Sequence, residues 1–243
     1  GASFLVTPGW NEPVVRWCAD HELTVIPGVS SASEIETALS YGCSILKFFP
    51  AESSGGAQKL KDLYGPYAQV KFLPTGGINE SNLHDYLSLS NVLAVGGSFM
   101  LANEDIQAKD WEKVCNKTKQ AVQTMLGYEL IHIGINHESQ AEAKKSTDTL
   151  CSLFGFPCYH KPKSYFAGRG FELLHQKGPG KHGHIAIYTP YPKRAMYHLS
   201  KQGISFVQDS ITRNKHTNQI NFVYLDMDLA GFGIHLIHPD VKM

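Results

Sequence analysis

The chain has 243 residues, of which 42% are hydrophobic and 18% charged, and its 22 Lys and Arg residues balance its 22 Asp and Glu residues. This length predicts one large domain or two modest ones, the balanced charge argues against a dedicated nucleic-acid or acidic-membrane binder, and no apolar run is long enough to span a bilayer. Five cysteines without a C-x-x-C pair indicate reduced thiols in a cytoplasmic protein, at Cys18, Cys43, Cys115, Cys151 and Cys158.

Charge and histidine are distributed unevenly about Gly127. Residues 1–127 contain 9 basic and 13 acidic side chains, whereas residues 128–243 contain 13 basic and 9 acidic ones. Ten of the twelve histidines also lie after Gly127. We therefore predict two domains of different chemistry, with bounds 1–127 and 128–243.

The first half alternates short apolar runs with helical patterns. The runs begin near Phe4, Thr24, Ile45, Val70 and Val92. Residues 31–42 illustrate the intervening helices, because Ser31 or Ser33 can cap the helix and Gly42 can end it. A short strand followed by a covering helix is typical of parallel α/β folds, and five such βα units are visible.

Two Gly-Gly pairs, at residues 76–77 and 96–97, follow consecutive predicted strands. In parallel α/β folds ligands bind at the carboxyl ends of the strands. Backbone N–H groups without side chains can approach a phosphate there, aided by the dipole of a following helix. One pair alone would be an ordinary turn, but two pairs at neighbouring strand ends favour phosphate binding.

Lys47 lies within an otherwise apolar predicted strand. It could be a surface lysine on an edge strand. Parallel strands in this fold class are covered on both faces, however, so a lysine in mid-strand would point into a barrel or towards its mouth. Burial would favour the neutral amine, which can attack a ketone and form a Schiff base for carbon–carbon cleavage.

Three segments resemble the 2-keto-3-deoxy-6-phosphogluconate (KDPG) aldolases, which often also act as 4-hydroxy-2-oxoglutarate (KHG) aldolases. They are residues 46–52 (LKFFPAE), 72–78 (FLPTGGI) and 94–98 (AVGGS), and the resemblance covers residues 1 to about 127. It implies a class I aldolase on a TIM (β/α)8 barrel, a homo-oligomer that is usually a trimer. The implied reaction cleaves a phosphorylated keto acid, KDPG, to pyruvate and glyceraldehyde 3-phosphate without a cofactor. Cleavage of 4-hydroxy-2-oxoglutarate to pyruvate and glyoxylate would be a second reaction.

The resemblance also implies roles for individual residues. Lys47 matches the Schiff-base lysine, Phe49 matches the aromatic residue that lines the pyruvate pocket, and Pro8 matches another pocket wall. Thr75 could orient the substrate carboxylate. The residues that match the phosphate cradle are Gly76, Gly77, Gly97 and Ser98.

The first half departs from the family in one respect, because it has five βα units where the barrel needs eight. It resembles strands four to eight only, so we expect about 80 to 100 further residues upstream. The family's general-base glutamate and carboxylate-binding arginine belong to that upstream part, and Glu12, Glu52 and Arg16 are not assigned as replacements. Were this chain complete, its retro-aldol activity would be very poor, although Lys47 could still condense with a ketone.

From Tyr128 the pattern is a strand, a helix and three strands, which then repeats. The first copy comprises strands at 129–135, 158–159, 164–166 and 171–175 with a helix at 138–154. The second comprises strands at 183–188, 204–207, 220–225 and 232–237 with a helix at 192–201. The two copies begin with the similar phrases HIGI and HIAI. Such a repeat predicts an α+β domain of paired βαβββ modules around one shared cavity.

This paired pattern resembles the vicinal oxygen chelate superfamily, the group of glyoxalases and ring-cleaving dioxygenases. In its metal-binding members, the first and last strands of each module supply one ligand each. The resemblance thereby implies four ligands, namely His132, Glu172, His184 and His235. The fourth ligand is more often glutamate, so His235 is a departure. Such a set suits Zn, Ni, Fe or Mn and leaves positions for two vicinal oxygens of a substrate.

Other interpretations of the second half remain open. A histidine on a strand is often only a core or surface residue, and some members of the superfamily bind no metal. The domain could be a metal-dependent isomerase, lyase or dioxygenase acting on a small oxygenated metabolite. It could instead bind a metabolite, or mediate assembly, and so regulate the aldolase.

Overall fold

In the computed structural model, which describes residues 1–238, the chain folds as two units, Gly1–Met125 and Leu126–Met243. Among the described residues no helix is both long and apolar enough to cross a membrane. Each unit has its own sheet architecture, so the two are described separately.

The first unit alternates short strands with helices. Its strands are β1 (Leu5–Val6), β2 (Val25–Ile26), β3 (Gly28–Val29), β4 (Ile45–Phe48) and β5 (Lys71–Pro74). Its helices are α1 (Glu12–Asp20), α2 (Ala32–Ser40), α3 (Gly56–Leu63), α4 (Leu83–Leu87), α5 (Asn103–Gln107) and α6 (Trp111–Leu126).

All strand pairs in the first unit are parallel, as predicted: β1 with β2, β3 with β4, and β4 with β5. The fifth predicted strand is wrong in its extent, because Val92–Gly96 contributes only two isolated parallel bridges, from Phe72 to Val92 and from Thr75 to Gly96. Within residues 1–125 the strands form two separate parallel sheets, β1-β2 and β3-β4-β5, and do not close a barrel.

Local signals explain where α2 begins and ends. Ser31 is its N-cap, and the Ser31 hydroxyl accepts a hydrogen bond from the backbone N–H of Glu34. The Glu34 carboxylate in turn accepts from the backbone N–H of Ser31 at 2.9 Å, completing a capping box. Gly42, with φ of 78°, follows the end of the helix. The predicted cap and stop are confirmed, with Ser31 rather than Ser33 as the cap.

Within its described residues, 126–238, the second unit contains eight strands and two helices. Its first module comprises β6 (Glu129–Ile135), α7 (Gln140–Phe154), β7 (Cys158–His160), β8 (Ser164–Ala167) and β9 (Phe171–Leu174). Its second module comprises β10 (Gly183–Tyr188), α8 (Pro192–Ser200), β11 (Thr212–Arg213), β12 (Ile220–Leu229) and β13 (Phe232–Ile237).

These strands form one sheet in the order β11-β12-β13-β10-β6-β9-β8-β7. In each module the first strand is parallel to the last, β6 to β9 and β10 to β13. The two first strands pair antiparallel to each other. The first and last strands of both modules therefore occupy the middle of the sheet.

The predicted strand at 204–207 is not formed. It contributes a single bridge between Phe206 and Leu225, because a 3-10 turn at Gln208–Ser210 follows it directly and redirects the chain. The short strand β11 instead lies at the sheet edge, paired with β12.

The expectation of five reduced thiols is wrong for one pair. Cys151 in α7 and Cys158 in β7 form a disulfide, with their Cα atoms 6.2 Å apart. Gly155 has a left-handed conformation with φ of 66° and ends α7, so the chain reverses within the 7-residue separation. A C-x6-C spacing alone does not indicate a disulfide. The remaining cysteines, Cys18, Cys43 and Cys115, are free.

Candidate functional sites

Strand β4 places Lys47 on the face opposite its buried side chains. Leu46 and Phe48 are fully buried, whereas Lys47 is half-buried. The expectation that the strand is covered on both faces is therefore wrong for the face that carries Lys47. The Lys47 ammonium nitrogen lies 4.5 Å from the ring centroid of Phe49, so the predicted Schiff-base lysine and the predicted pocket aromatic are in contact.

The turn after β5 is held against the end of β4. The N–H of Thr75 donates to the carbonyl of Phe48 at 3.0 Å, and the carbonyl of Thr75 accepts from the N–H of Ala51 at 2.8 Å. A Cβ on Gly76 would lie 3.2 Å from a ring carbon of Phe49. Thr75 and Gly76 are thereby placed beside the residues that flank Lys47.

The glycine turns offer free backbone donors. Gly76 and Gly77 have φ of 101° and 82°, a conformation that other residues rarely adopt. Within residues 1–238, the N–H groups of Gly77, Gly97 and Ser98 donate to no other protein group, whereas that of Gly76 takes part in the bridge between Thr75 and Gly96. The bridge between Thr75 and Gly96 brings the two turns to neighbouring strand ends. The anticipated helix dipole is not supplied, because the short helix α4 begins only at Leu83.

Pro8 follows β1 and packs against the strand next to Lys47. A Cβ on Gly28 would lie only 2.3 Å from the carbonyl carbon of Pro8, so glycine is required for this approach. Gly28 pairs in register with Lys47. The structure therefore brings Pro8 to the strand adjoining Lys47.

One supporting pair was missed by the sequence interpretation. The Tyr86 hydroxyl donates a hydrogen bond to the Glu52 carboxylate, and burial together with this carboxylate raises the pKa of Tyr86. A Cβ on Gly77 would lie 2.6 Å from Cγ of Glu52. The Glu52 side chain thus packs beneath the glycine turn, and only its place in the LKFFPAE motif could have indicated this.

In the second unit, strand register places the four predicted metal ligands on adjoining positions of the central strands. His132 on β6 and His235 on β13 both lie opposite Ala186 on β10. His184, two residues before Ala186, lies opposite Gly134 on β6, and Gly134 pairs with Glu172 on β9. The small residues Gly134 and Ala186 lie in the same rows of the sheet as these ligands and leave room for the histidine rings.

The four side chains converge. Nε2 of His132 lies 3.1 Å from Nε2 of His184, and Oε2 of Glu172 lies 3.2 Å and 3.1 Å from these two nitrogens. One ring nitrogen from each of His132, His184 and His235 falls within 4.8 Å of the others. All three histidines are buried.

The electrostatics of the cluster favour an ionised Glu172 and a neutral His235. Burial opposes ionisation of Glu172, but hydrogen bonds from His132, His184 and Ser164 hold its pKa well below its usual range. Burial and the neighbouring His184 and His132 lower the pKa of His235 to about 3. In residues 1–238, the Nδ1 atoms of all three histidines are buried without a hydrogen-bond partner.

The cluster opens into a cavity of about 420 Å³. Its lining includes all four predicted ligands, His132, Glu172, His184 and His235, together with Lys161, Pro162, Lys163, Ser164, Phe166, Phe222 and Ile237. None of the seven lining residues other than the four ligands is predicted from the sequence. Ser164 donates to Oε1 of Glu172 at 2.6 Å, so it orients that carboxylate.

Comparison with known proteins bears on the first unit. A family model described as KDPG and KHG aldolase matches residues 1–117. The 2-dehydro-3-deoxy-phosphogluconate aldolase of Haemophilus influenzae is 43% identical over 122 residues, covering 50% of this chain and 58% of the relative. That of Treponema pallidum is 46% identical over 123 residues, covering 51% and 59%.

A solved structure of KDPG aldolase from Legionella pneumophila, with pyruvate captured as a covalent carbinolamine intermediate, is 40% identical to this chain. The match covers 50% of this chain and 59% of that one, with a TM-score of 0.48. This chain thus spans less than two thirds of the length of the relatives it matches. Its N-terminal half, residues 1–117, carries the KDPG and KHG aldolase pattern.

Proposed function

We propose that the first unit supplies the Schiff-base chemistry of a class I aldolase that cleaves KDPG to pyruvate and glyceraldehyde 3-phosphate. The observation that carries this proposal is the match of residues 1–117 to the KDPG and KHG aldolase family. The contact between Lys47 and Phe49 supports it. The same chemistry would cleave 4-hydroxy-2-oxoglutarate to pyruvate and glyoxylate.

In the proposed reaction Lys47 is the nucleophile. Its neutral amine adds to the C2 carbonyl of the substrate, and loss of water gives a protonated imine. The C3–C4 bond then breaks and its electron pair moves into the imine, which becomes an enamine, while the C4 hydroxyl loses a proton and becomes the aldehyde. Protonation of C3 and hydrolysis of the imine release pyruvate and restore Lys47.

The reaction also needs a site for the substrate phosphate, which the glycine turns would supply, and a base for the C4 hydroxyl proton. The free N–H groups of Gly77, Gly97 and Ser98 are suited to hold the substrate phosphate, with Gly76 in the same turn. Thr75 and Pro8 would border the carboxylate end of the substrate. By family resemblance the base that accepts the C4 hydroxyl proton is a glutamate, to which no residue of this sequence is assigned.

A homo-trimer is part of the same proposal and rests on the resemblance alone. A cytoplasmic location is proposed as well, and it rests on the free thiols Cys18, Cys43 and Cys115.

Pyruvate release from KDPG tests this proposal, followed through NADH consumption by lactate dehydrogenase. We expect slow but measurable turnover by the unaltered chain, because none of its residues is assigned as the general base, and none by Lys47→Met. Lys71→Met is the matched control, because Lys71 lies on neighbouring β5 and is also half-buried. Absence of turnover in the unaltered chain, or equal turnover in Lys47→Met, would contradict the proposal.

We also propose that the second unit binds a divalent metal ion through His132, Glu172, His184 and His235. The specific observation is the convergence of three buried imidazoles and one carboxylate in a single cavity. Nitrogen and oxygen donors of this kind suit Zn, Ni, Fe or Mn. The residues therefore fit such an ion, which would act as a Lewis acid towards a bound oxygenated ligand.

This centre suits two roles. The unit could catalyse an isomerase, lyase or dioxygenase reaction of the vicinal oxygen chelate superfamily, which the paired modules resemble. It could instead bind a metabolite and regulate the first unit. The enzymatic role requires the metal, so metal content is the property that tests it.

Metal analysis of the purified full chain provides that test. We expect about one equivalent of a divalent metal, and its loss in His184→Ala. His216→Ala is the control, since His216 is exposed and far in sequence from the cluster. A metal content near zero after incubation with Zn²⁺, or one unchanged by His184→Ala, would contradict the metal centre.

A further inference from the structure

Two lysines border the cavity of the proposed metal centre. Lys161 and Lys163 lie in the turn between β7 and β8, and both contribute to the cavity lining. In the described part of the chain neither lysine is paired with a carboxylate. Their positive charges are therefore available to whatever occupies the cavity.

The backbone of this turn is fixed by its neighbours. The N–H of Lys161 donates to the carbonyl of Ser164 at 2.9 Å, and the carbonyl of Lys163 accepts from the N–H of His175 at 3.1 Å. Ser164, the residue after Lys163, donates to Glu172. The lysines are thus tethered at a set position relative to the predicted metal ligands.

With the proposed ion bound, the charge of the cavity would be strongly positive. Among the described residues that line the cavity, Glu172 carries the only carboxylate, and it is hydrogen-bonded to Ser164 and close to two histidines. Against this one negative charge stand the two lysines and the divalent ion of the proposed centre. A neutral ligand would leave this excess unmatched, whereas a ligand with two anionic groups would offset it.

The remaining walls are apolar and limit the size of the ligand. Phe166, Phe222, Ile237 and Pro162 contribute rings and aliphatic surface. A volume of about 420 Å³ is in the range for small metabolites. Such walls suit the short carbon chain that joins the two ends of the ligand.

We infer that the cavity of the second unit binds a small oxo- or hydroxy-acid with two anionic groups, one end facing the histidine cluster and the other, a carboxylate or phosphate, held by Lys161 and Lys163. This inference rests on the proposed metal centre and specifies its ligand class. Lys161 and Lys163 are specificity-determining residues in this account.

The test uses the full chain loaded with Co²⁺, whose visible absorption reports ligand binding at the metal cavity alone. Three ligands are compared by titration: 2-oxoglutarate with a distal carboxylate, 3-phosphoglycerate with a distal phosphate, and 2-oxopentanoate with neither. We expect at least one dianionic ligand to bind about 10-fold more tightly than 2-oxopentanoate. Which of the two binds more tightly distinguishes a carboxylate from a phosphate at the lysine end.

The double variant Lys161→Ala/Lys163→Ala should retain the Co²⁺ spectrum and lose this preference. Lys215→Ala, which removes an exposed lysine elsewhere in the same unit, should retain both. Equal affinity for the three ligands, or a preference that survives in the double variant, would overturn the inference while leaving the metal centre intact. Failure of the unaltered chain to bind Co²⁺ would overturn the metal centre and the inference with it.

Discussion

The imidazole of His184 lies directly over Gly134, its partner in the antiparallel pair of β6 and β10. A Cβ on residue 134 would be 2.2 Å from Cε1 of that ring, so only glycine permits this position. Gly134 thereby allows His184 to reach Glu172, the next residue in the same row of the sheet. The absence of a side chain at Gly134 is therefore needed both for packing between β6 and β10 and for the proposed metal binding.

Gly134→Ala should therefore displace the His184 ring and weaken Zn²⁺ binding. We expect the Zn²⁺ dissociation constant to rise about 10- to 100-fold, as for the loss of a group that orients a ligand, measured by competition with a chromophoric chelator. Gly170→Ala is the matched control, because a Cβ there meets nothing within 4 Å. Unchanged affinity in Gly134→Ala would contradict the proposed role of His184.

A double-mutant cycle separates this effect from general destabilisation. Gly134→Ala should lower the free energy of unfolding in the unaltered chain, and should lower it much less in a His184→Ala background, where no ring is displaced. Equal losses in the two backgrounds would place the strain elsewhere in the sheet.

Ser164 acts on the same centre through Glu172. Ser164→Ala removes the hydrogen bond to Oε1 and leaves the carboxylate free to rotate away from the histidines. We expect Zn²⁺ affinity to fall about 10- to 100-fold, by the same competition measurement. Ser152→Ala, on the exposed face of α7, should have no effect, and an equal loss in both variants would count against an orienting role.

In the first unit, Gly77 is constrained both by its conformation and by its surroundings. Gly77→Ala would force a side chain into φ of 82° and place its Cβ 2.6 Å from Cγ of Glu52. We expect a loss of about 1–3 kcal/mol in the free energy of unfolding and weaker binding of inorganic phosphate, measured by denaturant titration and calorimetry. Gly65→Ala, without positive φ or close neighbours, should change neither quantity.

The disulfide makes a separate prediction. Non-reducing peptide mass spectrometry should find Cys151 linked to Cys158, and Cys151→Ser should lower the free energy of unfolding by about 2 kcal/mol, since a short loop is released. Cys115→Ser, which alters an exposed free thiol in α6, is the control. Free thiols at both positions in protein purified without reductant would contradict the disulfide.

Sequence patterns predicted the elements with local causes. Strands at Glu129–Ile135, Gly183–Tyr188 and Phe232–Ile237 are confirmed with their predicted bounds, because apolar residues alternate along them and turn residues flank them. The strand predicted at 204–207 rests on its place in the repeated βαβββ pattern. In the structure the 3-10 turn after it limits its pairing to one bridge.

The cavity was only partly predictable. His132 and His184 carry a visible signal because the two module openings repeat, but the contribution of Lys161 and Lys163 depends on where the hairpin of β7 and β8 joins the sheet. That position is set by pairing of β8 with β9, a tertiary property. The close approach of the His184 ring to Gly134 is indicated in the sequence only by a glycine inside a strand.

Trapping of pyruvate on Lys47 is the most direct test of the central claim, that the first unit forms a Schiff base. The full chain is incubated with pyruvate and borohydride, digested, and mapped by peptide mass spectrometry, with Lys71 on the neighbouring strand as an internal control. We predict a reduced pyruvyl adduct on the peptide that contains Lys47, none on Lys71, and none in Lys47→Met. An unmodified Lys47 in folded protein, or equal labelling of Lys47 and Lys71, would contradict the account.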